Sequence, residues 1–299
     1  LAMDTTETSH ADAFIKAGTL TEALPWMRRF QGSVFVIKLG GNAMVDGDLL
    51  QAFADDMVFL ATVGVKPVVV HGGGPQISRA LESRGISSEF QGGYRVTSTE
   101  AIPVIRDVLR EEISADLQAR INRHSDLAVV LNGEDGGLFL ADRRGAMVDG
   151  VSVDLGHVGE VVQVDPSEIV ALVEQGKIPV VSSIAPNTDG SGLLNVNADA
   201  AAAALAVAVG AEKLVLLTDV AGLYADWPNT DSLISSITAE ELTQLLPALE
   251  SGMIPKMSAC LDAVRGGVPK AAIIDGRLAH SLLLEAFTTS GIGTEVVAS

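Results

Sequence analysis

The chain has 299 residues, 47% of them hydrophobic and 19% charged, with a formal net charge of −18 at pH 7. This length and apolar content are enough for one large α/β unit or two lobes, and they exclude a disordered chain. So acidic a surface offers no basic face to a nucleic-acid backbone, and a single cysteine, Cys260, excludes an intrachain disulfide and fits a cytoplasmic location.

At the N-terminus, Asp4, Glu7 and Asp12 stand where a signal peptide would need a basic and then apolar run, and no apolar stretch is long enough to span a bilayer. Leu1 and Ala2 ahead of Met3 read as a cloning remnant. A helix is predicted next, with Phe14, Ile15, Leu20, Leu24 and Met27 on one face and Lys16, Glu22, Arg28 and Arg29 off it. Pro25 is expected to kink or interrupt it. From the residues alone, its apolar face reads as covering the chain's own core. Short, nearly continuous apolar runs at 34–37, 67–70, 127–131, 178–184, 214–217 and 271–274 predict strands buried on both faces. Helical patterns lie between them at 49–62, 75–84, 99–122, 166–174, 198–209, 239–246 and 256–265. This alternation predicts a mainly parallel sheet with helices on both faces. Two stretches break it, 86–96 and 133–164, and turn residues at Arg144-Gly145, Asp149-Gly150 and 157–160 predict hairpins there.

Chemistry gathers at the strand ends. Lys38, one of seven lysines, ends the first strand in Val36-Ile37-Lys38-Leu39-Gly40-Gly41. A cation followed by two residues without Cβ lets backbone N–H groups approach an anion; the alternative is a solvated charge ahead of a turn. His71-Gly72-Gly73-Gly74-Pro75-Gln76 leaves the second strand and opens a helix. Pro75 marks the helix start, where free N–H donors and the helix dipole favour an anion, so Gly72, Gly73 and Gly74 form a second cradle. His71 reads as a histidine that hydrogen-bonds at a strand end. No stretch fits G-x-x-x-x-G-K-[ST] or places G-x-G-x-x-G between a strand and a helix, so this is neither a P-loop enzyme nor a typical dinucleotide binder.

Arg95, within Gly92-Gly93-Tyr94-Arg95-Val96-Thr97, is placed on a hairpin where a guanidinium can grip a carboxylate in bidentate fashion, or simply face solvent. In Asn195-Val196-Asn197-Ala198-Asp199 a strand runs into an alanine-rich helix. Asn197 suits its N-cap and Asp199 its first turn. Asp199 either offsets the helix dipole or holds Lys38 and Lys256 aimed at a transferring phosphoryl group.

Six ordered motifs together carry a resemblance. They are Lys38-Leu39-Gly40-Gly41-Asn42-Ala43-Met44, the His71 to Gln76 cluster, Gly93-Tyr94-Arg95-Val96-Thr97, Asn195 to Asp199, Leu217-Thr218-Asp219-Val220-Ala221-Gly222-Leu223-Tyr224, and Gly252-Met253-Ile254-Pro255-Lys256. Over about residues 20–297 the chain resembles the acetylglutamate kinases of the amino acid kinase family. The resemblance implies an αβα sandwich in two lobes, with an N-terminal extension at 1–31, an acceptor lobe at 32–210 and an ATP lobe at 211–299. It implies that Lys38 and Lys256 neutralise the phosphoryl group in flight, that Asp199 positions them, and that Gly41 and Gly73 donate N–H groups to its oxygens. The nucleophile would be the γ-carboxylate of N-acetyl-L-glutamate, ionised at neutral pH and in need of no general base. Arg95 and Asn195 would bind that acceptor alongside Gly72 to Gly74. Gly40, Thr218, Asp219 and Tyr224 would serve ATP, with Mg²⁺ arriving on its phosphates and no protein metal ligands.

In the arginine-inhibited members a helix before the first strand joins dimers into a ring-shaped hexamer. The stretch from His280 to Thr294 resembles their arginine site, which implies roles for His280, Glu285 and Gly291. Leu39 departs from the tyrosine that many of these members carry. Alternatives are a kinase of an aminoadipate derivative, whose acceptor is one methylene longer, and a catalytically idle arginine sensor.

Overall fold

The structure is a computed structural model describing residues 10–148, 150–289 and 291–298. The residues read as a cloning remnant, with Asp4, Glu7 and Asp149, lie outside the described residues. Helix α1 (His10–Phe30) runs unbroken through Pro25, contrary to the expected break. Burial of Ala23 and Phe30, with Phe30 set edge-on to Phe35 at 5.0 Å, holds the turns on either side of the proline.

Strand β1 (Val34–Leu39) leads to helix α2 (Gly47–Thr62), which starts where Asp46 caps the N–H groups of Asp48 and Leu49. Strand β2 (Lys66–His71) and helix α3 (Gly74–Ser83) follow, with Pro75 in the first turn. The predicted hairpin is β3 (Phe90–Gln91) and β4 (Tyr94–Arg95). Its turn, Gly92-Gly93, has positive φ at both residues (57° and 84°), a conformation that glycine adopts freely. The long helix predicted for 99–122 is α4 (Ala101–Asp107) and α5 (Ala115–Ile121) joined by a π-helical segment, Val108–Ser114.

Strand β5 (Ala128–Asn132) precedes β6 (Phe139–Arg143), β7 (Ala146–Val148), β8 (Val151–Val153) and β9 (Val158–Val164). The turn expected at 157–160 is therefore the start of a strand. Gly159 is there for close approach instead: a Cβ would lie 2.8 Å from Leu194 Cβ. After α6 (Ser167–Glu174) come β10 (Ile178–Ser182), β11 (Ile184–Pro186), β12 (Leu193–Val196) and α7 (Ala198–Ala208). The rest comprises β13 (Lys213–Thr218), β14 (Leu223–Tyr224), β15 (Leu233–Ile234), β16 (Ser236–Thr238), α8 (Ala239–Leu245), α9 (Ile254–Arg265), β17 (Lys270–Asp275), α10 (Ser281–Phe287) and β18 (Thr294–Val297).

Eight strands form one sheet in the order β16-β18-β17-β13-β1-β2-β10-β5, and only the β17–β18 pairing is antiparallel. Alternate residues of β1 feed opposite cores, Phe35, Ile37 and Leu39 packing with α2 and α5 while Val36 packs with α7 and α9. The αβα sandwich follows from that division. A smaller sheet has the order β11-β12-β9-β6. Among the described residues no helix is long and apolar enough to cross a membrane.

Candidate active site

Parallel register places the glycine clusters side by side. Lys38 pairs with Val70 and Leu39 with His71, while Lys38 faces Leu216 on the other flank. Gly40-Gly41, Gly72 to Gly74 and Thr218-Asp219 therefore leave three adjacent strands at their carboxyl ends, where open α/β sheets bind ligands.

Lys38 Nζ lies 2.7 Å from Asp199 Oδ1, with side chains 10% and 6% exposed. The contact is a buried ion pair, and an ammonium has three N–H groups, so one carboxylate does not exhaust its donors. The aspartate is fixed by its helix. Asn197 Oδ1 accepts from the N–H groups of Asp199 (2.8 Å) and Ala200 (3.1 Å), the N-cap read from sequence. The Lys38 ammonium folds back over Gly40, where a Cβ would overlap it, and a Cβ on Gly41, at φ +70°, would overlap the Asp219 carboxylate. Both glycines thus permit approaches that a side chain would block.

Lys256, in the first turn of α9, donates to its own Gly252 carbonyl at 3.1 Å. Asp199 is paired with Lys38, whereas Lys256 hydrogen-bonds within its own turn. Its helix nevertheless faces Asp199. Burial, and after it the Asp199 charge, pushes up the pKa of the Cys260 thiol one turn further along α9. The hairpin closes the same end: a Cβ on Gly93 would sit 3.7 Å from Pro255 Cγ and from the Ser251 carbonyl.

Gly72, Gly73, Gly74, Arg95, Asn195 and Asn197 line one cavity of about 150 Å³. Every sequence-assigned acceptor residue is in it. Arg95 is buried, stacks 4.6 Å from the Phe90 ring centroid, and donates from Nη2 to Gly74 O and Ser78 Oγ, both at 2.9 Å, and from Nη1 to Ser88 Oγ. Burial draws its pKa below the ordinary guanidinium value. With three of five N–H groups engaged, Nε–H and one Nη1–H remain, so a bidentate grip on a carboxylate requires Nη2 to exchange a partner. Asn195 Nδ2 donates to Thr97 Oγ1 at 3.3 Å.

A second cavity of about 310 Å³, mostly apolar, is lined by Val220, Leu223, Tyr224, Trp227, Leu249 and Met253. Tyr224 and Trp227 rings lie 5.1 Å apart. Tyr224 was assigned from sequence; Trp227, Leu249 and Met253 were not, nor were Ser78 and Ser88. Only the exposed tryptophan, in a loop beside the Leu217 to Tyr224 motif, gave any signal. Among the described residues no three His, Cys, Asp or Glu side chains are grouped to hold a metal.

The C-terminal residues divide. Glu285 and Gly291 share a cavity of about 90 Å³ with Trp26, Lys213, Lys270 and Glu295. Glu285 Oε1 is 2.7 Å from Lys213 Nζ, and both side chains are buried. His280 lies elsewhere, its Nδ1 2.6 Å from Asp56 Oδ1. Burial pushes the Asp56 carboxyl up to about 6, against the hydrogen bond from His280.

Comparison with known proteins agrees along the whole chain. A profile described as the amino acid kinase family matches residues 33–275. An acetylglutamate kinase from Clavibacter michiganensis subsp. michiganensis is 62% identical over 298 residues, covering 99% of this chain and 98% of that protein. One from Leifsonia xyli subsp. xyli is 62% identical over 295 residues, covering 98% of each. Among solved structures, N-acetylglutamate synthase from Neisseria gonorrhoeae, complexed with coenzyme A and N-acetyl-glutamate, superposes with a TM-score of 0.82 at 25% identity. The match covers 95% of this chain, which spans 63% of the synthase chain. Carbamate kinase from Giardia lamblia bound to AMP-PNP shares the fold, with a TM-score of 0.63 at 16% identity, over 90% of this chain and 99% of that one.

Proposed function

The chain belongs to the amino acid kinase family and, within it, to the acetylglutamate kinases, and from that premise we propose a residue-level account of its transfer of phosphate from ATP to N-acetylglutamate. The γ-carboxylate of N-acetyl-L-glutamate attacks the γ-phosphorus of ATP, the bond to the bridging β,γ-oxygen breaks, and the products are N-acetyl-L-glutamyl 5-phosphate and ADP. Catalysis is positioning and charge neutralisation. Lys38 and Lys256 meet the charge on the phosphoryl oxygens, Asp199 holds Lys38 at that point, and the N–H groups of Gly41 and Gly73 supply further donors. The observation that carries this reading is the buried Lys38–Asp199 pair, set between the two glycine clusters.

The acceptor is assigned to the cavity of Arg95 and Asn195, and the base of ATP to the apolar cavity beside Tyr224. Thr218 and Asp219 lie between that cavity and Gly41. These placements support an acceptor lobe at 32–210 and a nucleotide lobe at 211–299. Mg²⁺ would arrive with the nucleotide and offset its phosphate charge, and no residue of this chain is assigned to hold it. Arg95→Ala is expected to raise KM for N-acetylglutamate by about 10–100-fold, the worth of a charged hydrogen bond, with KM for ATP nearly unchanged. Equal rises in both would take Arg95 out of the acceptor site.

The reaction is assigned to arginine biosynthesis in the cytoplasm, with arginine as feedback inhibitor. Its site is placed at the cavity of Glu285 and Gly291, where carboxylates and ammonium groups can meet both ends of an amino acid. Trp26 of α1 lines that cavity, while Phe14, Ile15, Leu20 and Leu24 of the same helix are 53–76% exposed, an apolar surface that supports interlacing of dimers into a hexamer. His280 then acts from the α2 side through Asp56. The test is ADP release from Mg-ATP with N-acetyl-L-glutamate, with and without millimolar arginine and with an aminoadipate-type acceptor alongside. Turnover that arginine suppresses is expected; turnover indifferent to arginine removes the inhibitory site, turnover only on the longer acceptor changes the substrate, and no turnover leaves an arginine sensor.

A further inference from the structure

His71 is wholly buried at the end of β2, and its ring touches two groups, Nδ1 lying 3.0 Å from Gly72 O and Nε2 2.7 Å from Ser114 Oγ. A carbonyl oxygen only accepts, so Nδ1 carries the proton and Nε2 accepts from the Ser114 hydroxyl. Ser114 is also wholly buried, at the end of the π-helical segment. That segment presses on the glycine cluster, since a Cβ on Gly73 would lie 2.5 Å from Ile113 Cδ1 and 3.2 Å from Leu109 Cδ2. Single-turn π segments recur at functional sites, and here the segment lies directly behind the cradle.

The consequence comes from the planarity of one peptide. In a trans peptide, which Gly72–Gly73 is, the carbonyl oxygen and the amide N–H point in opposite directions. Drawing Gly72 O inward to the imidazole therefore turns the Gly73 N–H outward, toward the cavity that Gly72, Gly73 and Gly74 line. Among the described residues no backbone carbonyl accepts from that N–H. Two glycines with no side chain to hold them would otherwise leave the peptide free to rotate. We propose that His71 and Ser114 are positioning residues that lock the Gly72–Gly73 peptide so that the Gly73 N–H faces the transferring phosphoryl group. Burial supports the neutral state the arrangement needs, pulling the imidazole down to about 4. The inference rests on the assignment of Gly73 as a donor in the proposed reaction.

The test compares His71→Leu, His71→Asn and Ser114→Ala in the full chain. His71→Leu is expected to lower kcat by about 10²-fold, the cost of roughly 1 Å of misplacement, with KM for both substrates nearly unchanged. In His71→Asn the amide nitrogen stands where Nδ1–H stood, and most of kcat returns; Ser114→Ala falls between. A His71→Leu protein with parental kcat overturns the proposal, as does equal loss in His71→Leu and His71→Asn with equal loss of Tm, the mark of a merely structural contact. In ¹⁵N-histidine NMR of the parent, one of the five histidines is expected to be an Nδ1–H tautomer that does not titrate between pH 5 and 8. An Nε2–H tautomer for His71 overturns the proposal. If the parent protein fails to release ADP, the reading of its function falls with the phosphoryl role of Gly73, and the tautomer decides only whether His71 holds the Gly72–Gly73 peptide.

Discussion

Lys256→Ala is expected to lower kcat by roughly 10²–10³-fold in a protein that stays folded, matching the ~2.7–4 kcal/mol lost with one preorganised donor. Lys256 is half-buried and pairs with the Gly252 carbonyl, so its removal leaves no buried charge behind and opens no hole in the core. Stability and activity therefore separate at this residue, and a steady-state assay beside a thermal melt reads both. An unchanged kcat takes Lys256 out of the transfer step. A Tm several degrees lower would show that α9 depends on this side chain, which a single hydrogen bond to its own turn does not require.

Asp199→Ala is expected to do both kinds of damage. Lys38 is 8% exposed, and its 2.7 Å partner is the only carboxylate paired with it among the described residues. Removing one member of a buried pair costs ~3–5 kcal/mol, because the remaining charge is left desolvated. The wild-type pair is fixed from two directions, by β1 under Lys38 and by the Asn197 cap under Asp199, so the ammonium cannot easily follow the lost carboxylate. The expected result is an unfolding free energy from urea titration lowered by that amount, together with a fall in kcat as Lys38 loses its fixed position. Asp199→Asn keeps the shape and should recover part of the stability but little of the rate. A loss of stability below about 1 kcal/mol would mean that Lys38 finds water when Asp199 is gone, and that its burial is less complete than the structure gives.

The parts legible in the sequence were those where one residue type answers to one physical need. Strands such as β1, β2 and β13 are apolar on both faces because helices cover both, so they stand out as continuous runs. Gly41 and Gly73 were legible because only glycine fits where an Asp219 carboxylate or an Ile113 methyl presses on the backbone. Asn197 and Asp199 were legible as a cap and a first turn. Gly159 misled for the same reason that Gly41 informed: a glycine marks either a turn or a close approach, and here it made room for Leu194. Contacts made across the chain had no local signature. Ser78 and Ser88 converge on Arg95 from α3 and from the loop before β3, and Trp227 reaches Tyr224 across an irregular loop. His280 and Glu285 are five residues apart in sequence, yet one faces Asp56 and the other Lys213, because α10 begins between them.

One consequence lies in the order of the central strands. β1, which carries Lys38, is hydrogen-bonded to β2 on one side and to β13 on the other, and the boundary proposed between the two lobes, at residues 210 and 211, falls just before β13. On that proposal the seam between the lobes is an ordinary parallel ladder, with four register pairs from Phe35↔Lys213 to Lys38↔Leu216. Opening it would expose two raw strand edges and tear both hydrophobic layers at once. Neither half is then a separable module: the two sides of this ladder are expected to melt together, and the groups proposed to meet the phosphoryl charge come into register only when β2 and β13 are both paired with β1.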